Sequence, residues 1–215
     1  MTPMLKRRKI LAFTASGMVA GVAPLGLIDP VWAARLIPTP RQTEGPFYPV
    51  AVPADADNDL VAVAGQGTQA RGIVTLVGGR VLDIEGRPIA GATVEIWQCD
   101  ADGHYLHPND AGPRDAAFQG FGRDRTDGDG AYRFRTIRPV PYTGRTPHIH
   151  FAVLAPGRPR LVTQMYVSGE KGNERDFLYR SLDPEARKAV TVALAPAAGE
   201  AQDTLAGRFD IVLPS

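Results

Sequence analysis

From Gly72 onwards the chain consists of short apolar runs of strand length, separated by clusters of glycine, proline or aspartate. Runs of this length between turn-forming residues indicate β-strands. Only EARKA, which follows Asp183 and Pro184, is typical of a short helix. Strands and helices therefore do not alternate, as they would in a parallel α/β fold. We predict an all-β fold, a two-sheet β-sandwich with little helix. The predicted strands are IVTLVGGRVLD, ATVEIWQ, AYRFRTI, HIHFAVLA, LVTQMYV, VTVALAP and GRFDIVLP.

The first 33 residues have the features of an export signal. A basic start is followed by an apolar run rich in small residues and by VWA before Ala34. The adjacent Arg7 and Arg8 resemble a twin-arginine signal, which exports folded proteins. We therefore predict a cleaved signal peptide at 1–33, a proline- and alanine-rich N-terminal arm at 34–70 and the β-sandwich at 71–215. The protein is expected to be periplasmic or extracellular, without stable membrane insertion after cleavage.

Composition narrows the functional classes. The chain has 215 residues and 44% hydrophobic content, which suits one well-buried domain. Its formal net charge is only +1, so no broad basic field favours nucleic acid. Cys99 is the one cysteine, which excludes an internal disulfide and a cysteine-rich zinc site. We expect small-molecule chemistry, and self-association into a homo-oligomer stays open.

The segment PHIHF carries the strongest chemical signal. His148 and His150 lie two residues apart in a predicted strand, so both imidazoles project from one face and can share a metal ion. An isolated pair of this kind is also typical of a polar sheet rim. Further ligands are needed to distinguish the two interpretations.

Two tyrosines are the candidate partners of the histidine pair, Tyr105 in GHYLHP and Tyr142 in VPYTGR. Phenolate is a hard anionic donor that favours ferric over ferrous iron. Each tyrosine alone is more typical of packing. His104 and His107 could instead join the histidine pair, and zinc or copper is an alternative metal. Asp127, Asp129 and Gly130 form a turn, since the distant glutamate of a calcium loop is missing.

Four motifs in order resemble the intradiol ring-cleavage dioxygenase family. They are WQCDADGHYLHP, GRDRTDGDGAYRFRTIRPVPY, RTPHIHF and LVTQMY, and TEGPFYP resembles the family's opening motif. The resemblance runs from about Thr43 to the C-terminus and is closer to the compact protocatechuate-like branch. It implies a non-haem Fe(III) enzyme that cleaves a catechol-type ring with O2, between the two hydroxylated carbons, to a cis,cis-muconate-type product.

The resemblance also implies roles for individual residues. Tyr105 and His148 match the equatorial iron ligands, and Tyr142 and His150 match the axial pair. Tyr142 is also implied in catalysis, because it takes up substrate protons when the catechol binds. Arg145 and Gln164 match the arginine and glutamine that lie beside the substrate ring.

One region departs from the family pattern. The segment 143–147 between Tyr142 and His148 is shorter than usual and lacks the tryptophan that often follows the second tyrosine. The identity of the catechol is therefore left open. The competing hypothesis is a non-enzymatic module, because GRVLDIEGRPIAGATVEIWQ followed by GDGAYRFRT also resembles transthyretin-like and adhesin-like β-sandwiches. Such a module has no reason to assemble two tyrosines and two histidines.

Overall fold

Two five-stranded β-sheets dominate residues 35–215, the part of the chain described by the computed structural model. The predicted signal peptide at 1–33 lies outside the described residues. The strands are β1 (Val74–Asp83), β2 (Thr93–Trp97), β3 (Phe121–Arg125), β4 (Ala131–Ile137), β5 (His148–Leu154), β6 (Leu161–Val167), β7 (Thr191–Val192), β8 (Ala195–Pro196), β9 (Leu205–Arg208) and β10 (Ile211–Leu213). Two short helices, α1 (Phe177–Ser181) and α2 (Pro184–Val190), follow a 3-10 turn at Asn173–Arg175. None of the helices within 35–215 has the length and apolar character needed to cross a membrane.

The first sheet has the order β10-β1-β9-β8 with β4 also paired to β1, and the second has the order β3-β2-β5-β6-β7. Most pairs are antiparallel, whereas β9 and β10 run parallel to β1 and β7 runs parallel to β6. The predicted two-sheet β-sandwich with little helix is confirmed by this arrangement.

The hydrophobic core lies between the two sheets. Val77 of β1 and Phe134 of β4 meet Ile96 of β2 and Phe151 of β5, all at most 2% exposed. Along each strand, the residues that face the core recur at every second position, because alternate side chains of a strand point to opposite faces. Burying each such side chain contributes about 1.5–3 kcal/mol.

The structure differs from the predicted strands at three places. FGRDR forms β3, which was not predicted because Arg123 and Arg125 hide the strand pattern; the strand forms by pairing with β2. VTVALAP yields only the two-residue strands β7 and β8, because its residues pair with different sheets. GRFDIVLP divides into β9 and β10, which pair with successive parts of β1. Tertiary pairing, which sequence pattern does not contain, decides each case.

The outer face of the second sheet is also buried, although a sandwich normally exposes that face. Every residue of β5 from His148 to Val153 is buried. A second apolar cluster lies on this outer face and includes Trp97, Tyr105 and Ala152, with Phe47 and Tyr48 from the arm packed against it. The arm and the loops around Tyr105 and Tyr142 thus enclose one face of the sheet, and the candidate site lies in that enclosure.

Gly79 provides a test of this architecture. A Cβ at this position would overlap the backbone carbonyl of Phe209, the group that also accepts a hydrogen bond from the buried Tyr132 hydroxyl. We expect Gly79→Ala to lower the free energy of unfolding by about 3 kcal/mol, because β1 and the β9–β10 connection must separate. Urea unfolding measures the change. The control is Gly128→Ala, which meets no atom within 4 Å and should be nearly neutral. Equal stabilities of the two variants would contradict the close approach.

Candidate metal centre and active site

Strand register places the candidate residues in two neighbouring rows on the outer face of the second sheet. Trp97, His150 and Gln164 are directly paired across β2, β5 and β6. His148 is paired with Tyr166 in the next row. Because the side-chain period of a strand is two, all five project to the same side. The histidine pair therefore has the common orientation that PHIHF predicts.

The two imidazoles face each other through their Nε2 atoms, which are 3.1 Å apart. The Nδ1 of His148 donates to the carbonyl oxygen of Thr146 at 2.7 Å, which leaves the Nε2 of His148 as an unprotonated lone pair. Two nitrogens that bind one ion at right angles, each at about 2.1 Å, would stand about 3.0 Å apart. The spacing of the pair suits a shared metal ion.

Burial keeps both imidazoles in the neutral form that a metal requires. Desolvation, helped by the positive charge of Arg145, lowers the pKa of His148 to about 4. Desolvation and then the neighbouring His148 hold the pKa of His150 well below its usual value. Trp97 stacks on the ring of His150 at 4.8 Å between centroids and fixes its plane. Both histidines are thus ready to act as ligands at neutral pH.

Tyr105 and Tyr142 come from two different loops and meet above the histidine pair. Their rings are 5.2 Å apart between centroids, Tyr105 is 6.3 Å from His150, and Tyr142 is 5.5 Å from His148. The structure therefore brings all four predicted ligand residues together. The hydroxyl of Tyr105 is buried and has no hydrogen-bond partner. Such a group is costly unless something binds it.

The two phenols are protonated as long as no cation is bound. Burial raises the pKa of Tyr105 well above its usual value, and Tyr142 raises it further. Burial also raises the pKa of Tyr142, although the charge of Arg145 opposes the change. A strongly charged cation would have to reverse this balance, which is the behaviour expected of ferric iron and two phenolates.

His104 and His107 serve the loop that carries Tyr105. The Nδ1 of His104 bonds to Asp110 at 3.1 Å, and the other carboxylate oxygen of Asp110 accepts the backbone N–H of Tyr105 at 2.8 Å. The Nδ1 of His107 accepts the backbone N–H of Asn109. Within residues 35–215, no three His, Cys, Asp or Glu side chains are grouped around a common ion position. The alternative site with His104 and His107 is not supported.

Arg145 and Gln164 lie beside the four candidate ligands and bond to each other. The Nη2 of Arg145 donates to Oε1 of Gln164 at 2.6 Å, and its Nη1 is 3.5 Å from the hydroxyl of Tyr142. The Nε2 of Gln164 donates to the carbonyl oxygen of Thr43 in the arm at 3.1 Å. A cation and an oriented amide therefore border the position that the tyrosines and histidines surround.

Asp176 also contributes to the candidate site, although no sequence pattern predicted it. Its side chain is fully buried, and its Oδ2 accepts Nε of Arg145 at 2.8 Å and the backbone N–H of Thr146 at 3.0 Å. Its Oδ1 caps α1 by accepting the backbone N–H groups of Leu178 and Tyr179. The available signal was an aspartate before FLYRS, a possible helix cap, but that helix was not predicted.

The arm supplies the remaining wall. Phe47 stacks on Tyr105 at 4.4 Å between centroids. Gly45, with a φ of 73°, passes so close to His150 that a Cβ would stand 3.4 Å from Cε1 of its ring. The hydroxyl of Tyr48 donates to the buried carboxylate of Glu95 at 2.8 Å. The proline- and alanine-rich composition of 34–70 predicted an arm, but no sequence pattern indicated that Gly45, Phe47 or Tyr48 belongs to the site.

The structure contains two cavities of similar size. One borders the candidate site, and the other lies away from it. One of about 700 Å³ is lined by Arg145, Thr146 and Asp176 together with the segments 169–172 and 141–147 in part. The other, of about 710 Å³, lies along β1, β4 and β9 of the first sheet and includes none of the candidate residues. The candidate site is therefore identified by the chemistry of its side chains and not by the volume of a cavity.

Comparisons with known proteins agree on one family. A family model described as Dioxygenase matches residues 43–215. The chain is 35% identical over 183 residues to the protocatechuate 3,4-dioxygenase beta chain of Burkholderia cepacia, covering 80% of this chain and 78% of that protein. It is 32% identical over 186 residues to the catechol 1,2-dioxygenase of Acinetobacter baylyi, covering 72% of this chain but only 58% of that longer protein.

Solved structures give the same result. The dioxygenase domain of a dioxygenase and carbohydrate-binding protein fusion from Streptomyces sp. SirexAA-E matches with a TM-score of 0.66 and 34% identity, covering 83% of this chain and 99% of that one. Catechol 1,2-dioxygenase from Pseudomonas arvilla C-1 matches with a TM-score of 0.63 and 27% identity, covering 82% and 62% of the two chains. The family model covers both sheets and the part of the arm from Thr43 onwards.

Removal of the hydrogen bond between Tyr48 and Glu95 tests how the arm is held against the sheet. Tyr48→Phe removes a hydrogen bond to a buried carboxylate, so we expect the free energy of unfolding to fall by about 1.5–3 kcal/mol. We also expect faster proteolytic cleavage within residues 35–58, and mass spectrometry measures the rate of that cleavage. Tyr179→Phe is the matched control, since it removes a neutral bond to Thr191 and no bond to the arm. Unchanged cleavage of the arm in Tyr48→Phe would show that this bond does not hold it.

Proposed function

The chain belongs to the intradiol ring-cleaving dioxygenase family, and we propose that it cleaves a catechol with O2 between the two hydroxylated carbons. The proposal includes a non-haem ferric ion held by Tyr105, Tyr142, His148 and His150. The product is then a cis,cis-muconate-type diacid. The alternative of a non-enzymatic transthyretin-like or adhesin-like module is not favoured, because the matched relatives are named as dioxygenases.

One observation carries the proposal: two phenols and two neutral imidazoles, from three separate segments, meet at one enclosed position. The buried hydroxyl of Tyr105 has no hydrogen-bond partner, and the Nε2 atoms of the two histidines face each other at 3.1 Å. A structural module gains nothing from burying such groups together. A shared cation would satisfy them at once.

The donor set suits ferric iron better than zinc. Two phenolates are hard anionic ligands that offset two of the three positive charges, while the neutral imidazoles complete the set. When bound, the ferric ion would supply the Lewis acidity that promotes deprotonation of a catechol and the electron-accepting capacity that makes its ring reactive towards O2.

The protein's own residues account for proton handling and charge. Tyr142 is half-buried, and its hydroxyl lies next to the guanidinium of Arg145. We assign Tyr142 the role of taking up a substrate proton, because an ionised Tyr142 beside the substrate would be a nearby base. Arg145 stabilises the negative charge of the bound catecholate. Gln164 orients the substrate's edge through the amide that Arg145 and Thr43 hold in place.

Aromatic side chains exclude water from the site. Phe47 covers Tyr105 on one side, and Trp97 covers His150 on the other. A dry site strengthens the interaction between Arg145 and developing negative charge. The substrate is a small catechol; relatives are named for protocatechuate, catechol and hydroxyquinol, which leaves the ring substituents to experiment.

Iron binding tests the proposed ligands directly. We expect the purified protein to take up one ferric ion and to show a visible tyrosinate-to-iron absorption band that shifts when a catechol is added. His150→Ala and Tyr105→Phe should each weaken iron binding at least 10-fold, as measured by metal analysis and by the band. His104→Gln is the control, since glutamine keeps a donor towards Asp110 and lies outside the four proposed ligands.

Three results would decide against the assignment. Iron binding that is as strong in Tyr105→Phe and His150→Ala as in the wild type would place the metal elsewhere. A colourless protein that binds zinc in preference to iron would favour the zinc alternative. An iron-loaded protein that converts no member of a catechol series, with oxygen uptake and product analysis as the readout, would refute the proposed reaction.

We also propose export before the enzyme acts. The basis is the adjacent Arg7 and Arg8, the apolar run and the VWA sequence before Ala34, all within residues that the structure does not describe. The protein would then be periplasmic or extracellular. A folded export route would allow iron to be inserted in the cytoplasm.

Replacing both arginines tests the export route. We expect Arg7→Lys with Arg8→Lys to retain the uncleaved precursor in the cytoplasm, because the twin-arginine pathway requires the pair. Cell fractionation and N-terminal sequencing give the answer, with Ala34 expected as the first residue of the exported wild type. Lys9→Gln, which leaves the pair intact, is the control. Normal export of the double variant would indicate a general secretion signal.

A further inference from the structure

Arg145 is held by a carboxylate that lies behind it, away from the proposed metal ligands. The Oδ2 of Asp176 accepts Nε of Arg145 at 2.8 Å, while Nη2 and Nη1 point to Gln164 and Tyr142. The side chains of Arg145 and Asp176 are 9% and 0% exposed. The pair is therefore largely shielded from water, so the direction of the guanidinium is set by these contacts.

Asp176 belongs to a segment that also holds Thr146. The backbone N–H of Thr146 donates to Asp176, and its hydroxyl donates to Oδ1 of Asn173 at 2.8 Å. The side-chain amide of Asn173 donates in turn to the carbonyl oxygen of Val167 at the end of β6. Because the carbonyl oxygen of Thr146 accepts Nδ1 of His148, the same segment fixes the orientation of that imidazole.

We propose that Asp176 is a positioning residue for catalysis, which acts by aiming the guanidinium of Arg145 at Tyr142 and Gln164. The proposal rests on the proposed function for its kinetic consequence. The contact with Arg145 is a separate property of the fold. A simple helix cap needs only the Oδ1 contacts with Leu178 and Tyr179. The second oxygen is committed to Arg145 and Thr146, and this commitment is what a structural cap does not explain.

The chemistry of asparagine separates the two roles. In Asp176→Asn the amide oxygen can still cap α1, since asparagine is a favoured cap residue. Its NH2 group would then face two donors, Nε of Arg145 and the N–H of Thr146. The guanidinium therefore loses its anchor while the cap is kept. Asp183→Asn is the matched control, because Asp183 caps α2 through Ala186 and has no bond to Arg145.

The first measurement is steady-state cleavage by the iron-loaded variants, with iron content and unfolding recorded for each. We expect Asp176→Asn to retain iron and to lower kcat at least 10-fold with KM changed less than threefold, whereas Asp183→Asn stays within twofold of the wild type. In an Arg145→Met background, adding Asp176→Asn should lower kcat by less than twofold, because the residue it positions is gone. Equal kcat for Asp176→Asn and Asp183→Asn would overturn the proposal.

A second measurement does not depend on turnover. Phenylglyoxal modifies accessible arginines, and peptide mass spectrometry reports the modification of Arg145. We expect Arg145 to be protected in the wild type and in Asp183→Asn, but to react in Asp176→Asn. Protection in all three would overturn the proposal, whatever the kinetics. If the wild type cleaves no catechol while Arg145 still becomes reactive in Asp176→Asn, the proposed function fails and the positioning contact stands.

Discussion

The burial of both faces of β5 is the constraint on which the rest of the structure depends. Ile149, Phe151 and Val153 point into the core between the sheets, which any β-sandwich requires. His148 and His150 point the other way and are each only 1% exposed. Imidazoles removed from water need polar partners, so the elements that cover them must supply those partners or leave room for a ligand.

Two kinds of side chain surround the buried imidazoles. Apolar rings come from the arm and from the sheet itself, with Phe47 of the arm against Tyr105 and Trp97 of β2 against His150. Polar groups come from the loops and from β6, where Arg145 is bonded to both Asp176 and Gln164. Among the buried side-chain atoms of residues 35–215 that have no hydrogen-bond partner, the hydroxyl of Tyr105 belongs to the group of two tyrosines and two histidines. A cation held among these four side chains would satisfy that hydroxyl.

Local patterns were sufficient for much of the architecture. The strand-length runs predicted β1, β2, β4, β5 and β6, because each alternates or is continuously apolar between turn residues. They failed for β3, whose arginines mask its pairing with β2, and for α1, which depends on Asp176 as its cap. Short elements such as these are stabilised by neighbours more than by their own residues, so their formation is decided outside the segment.

By itself, the sequence determined the fold class and the common face of His148 and His150, because strand periodicity is a local property. The four residues proposed as ligands came from the resemblance of its ordered motifs to a known family. Only the tertiary structure decided that the arm forms a wall of the site and that Tyr48 is bonded to Glu95. It also decided that Asp176 lies behind Arg145, 31 positions away in the chain. These contacts join segments distant in sequence, and their geometry follows from packing the loops on the sheet, which no local pattern encodes.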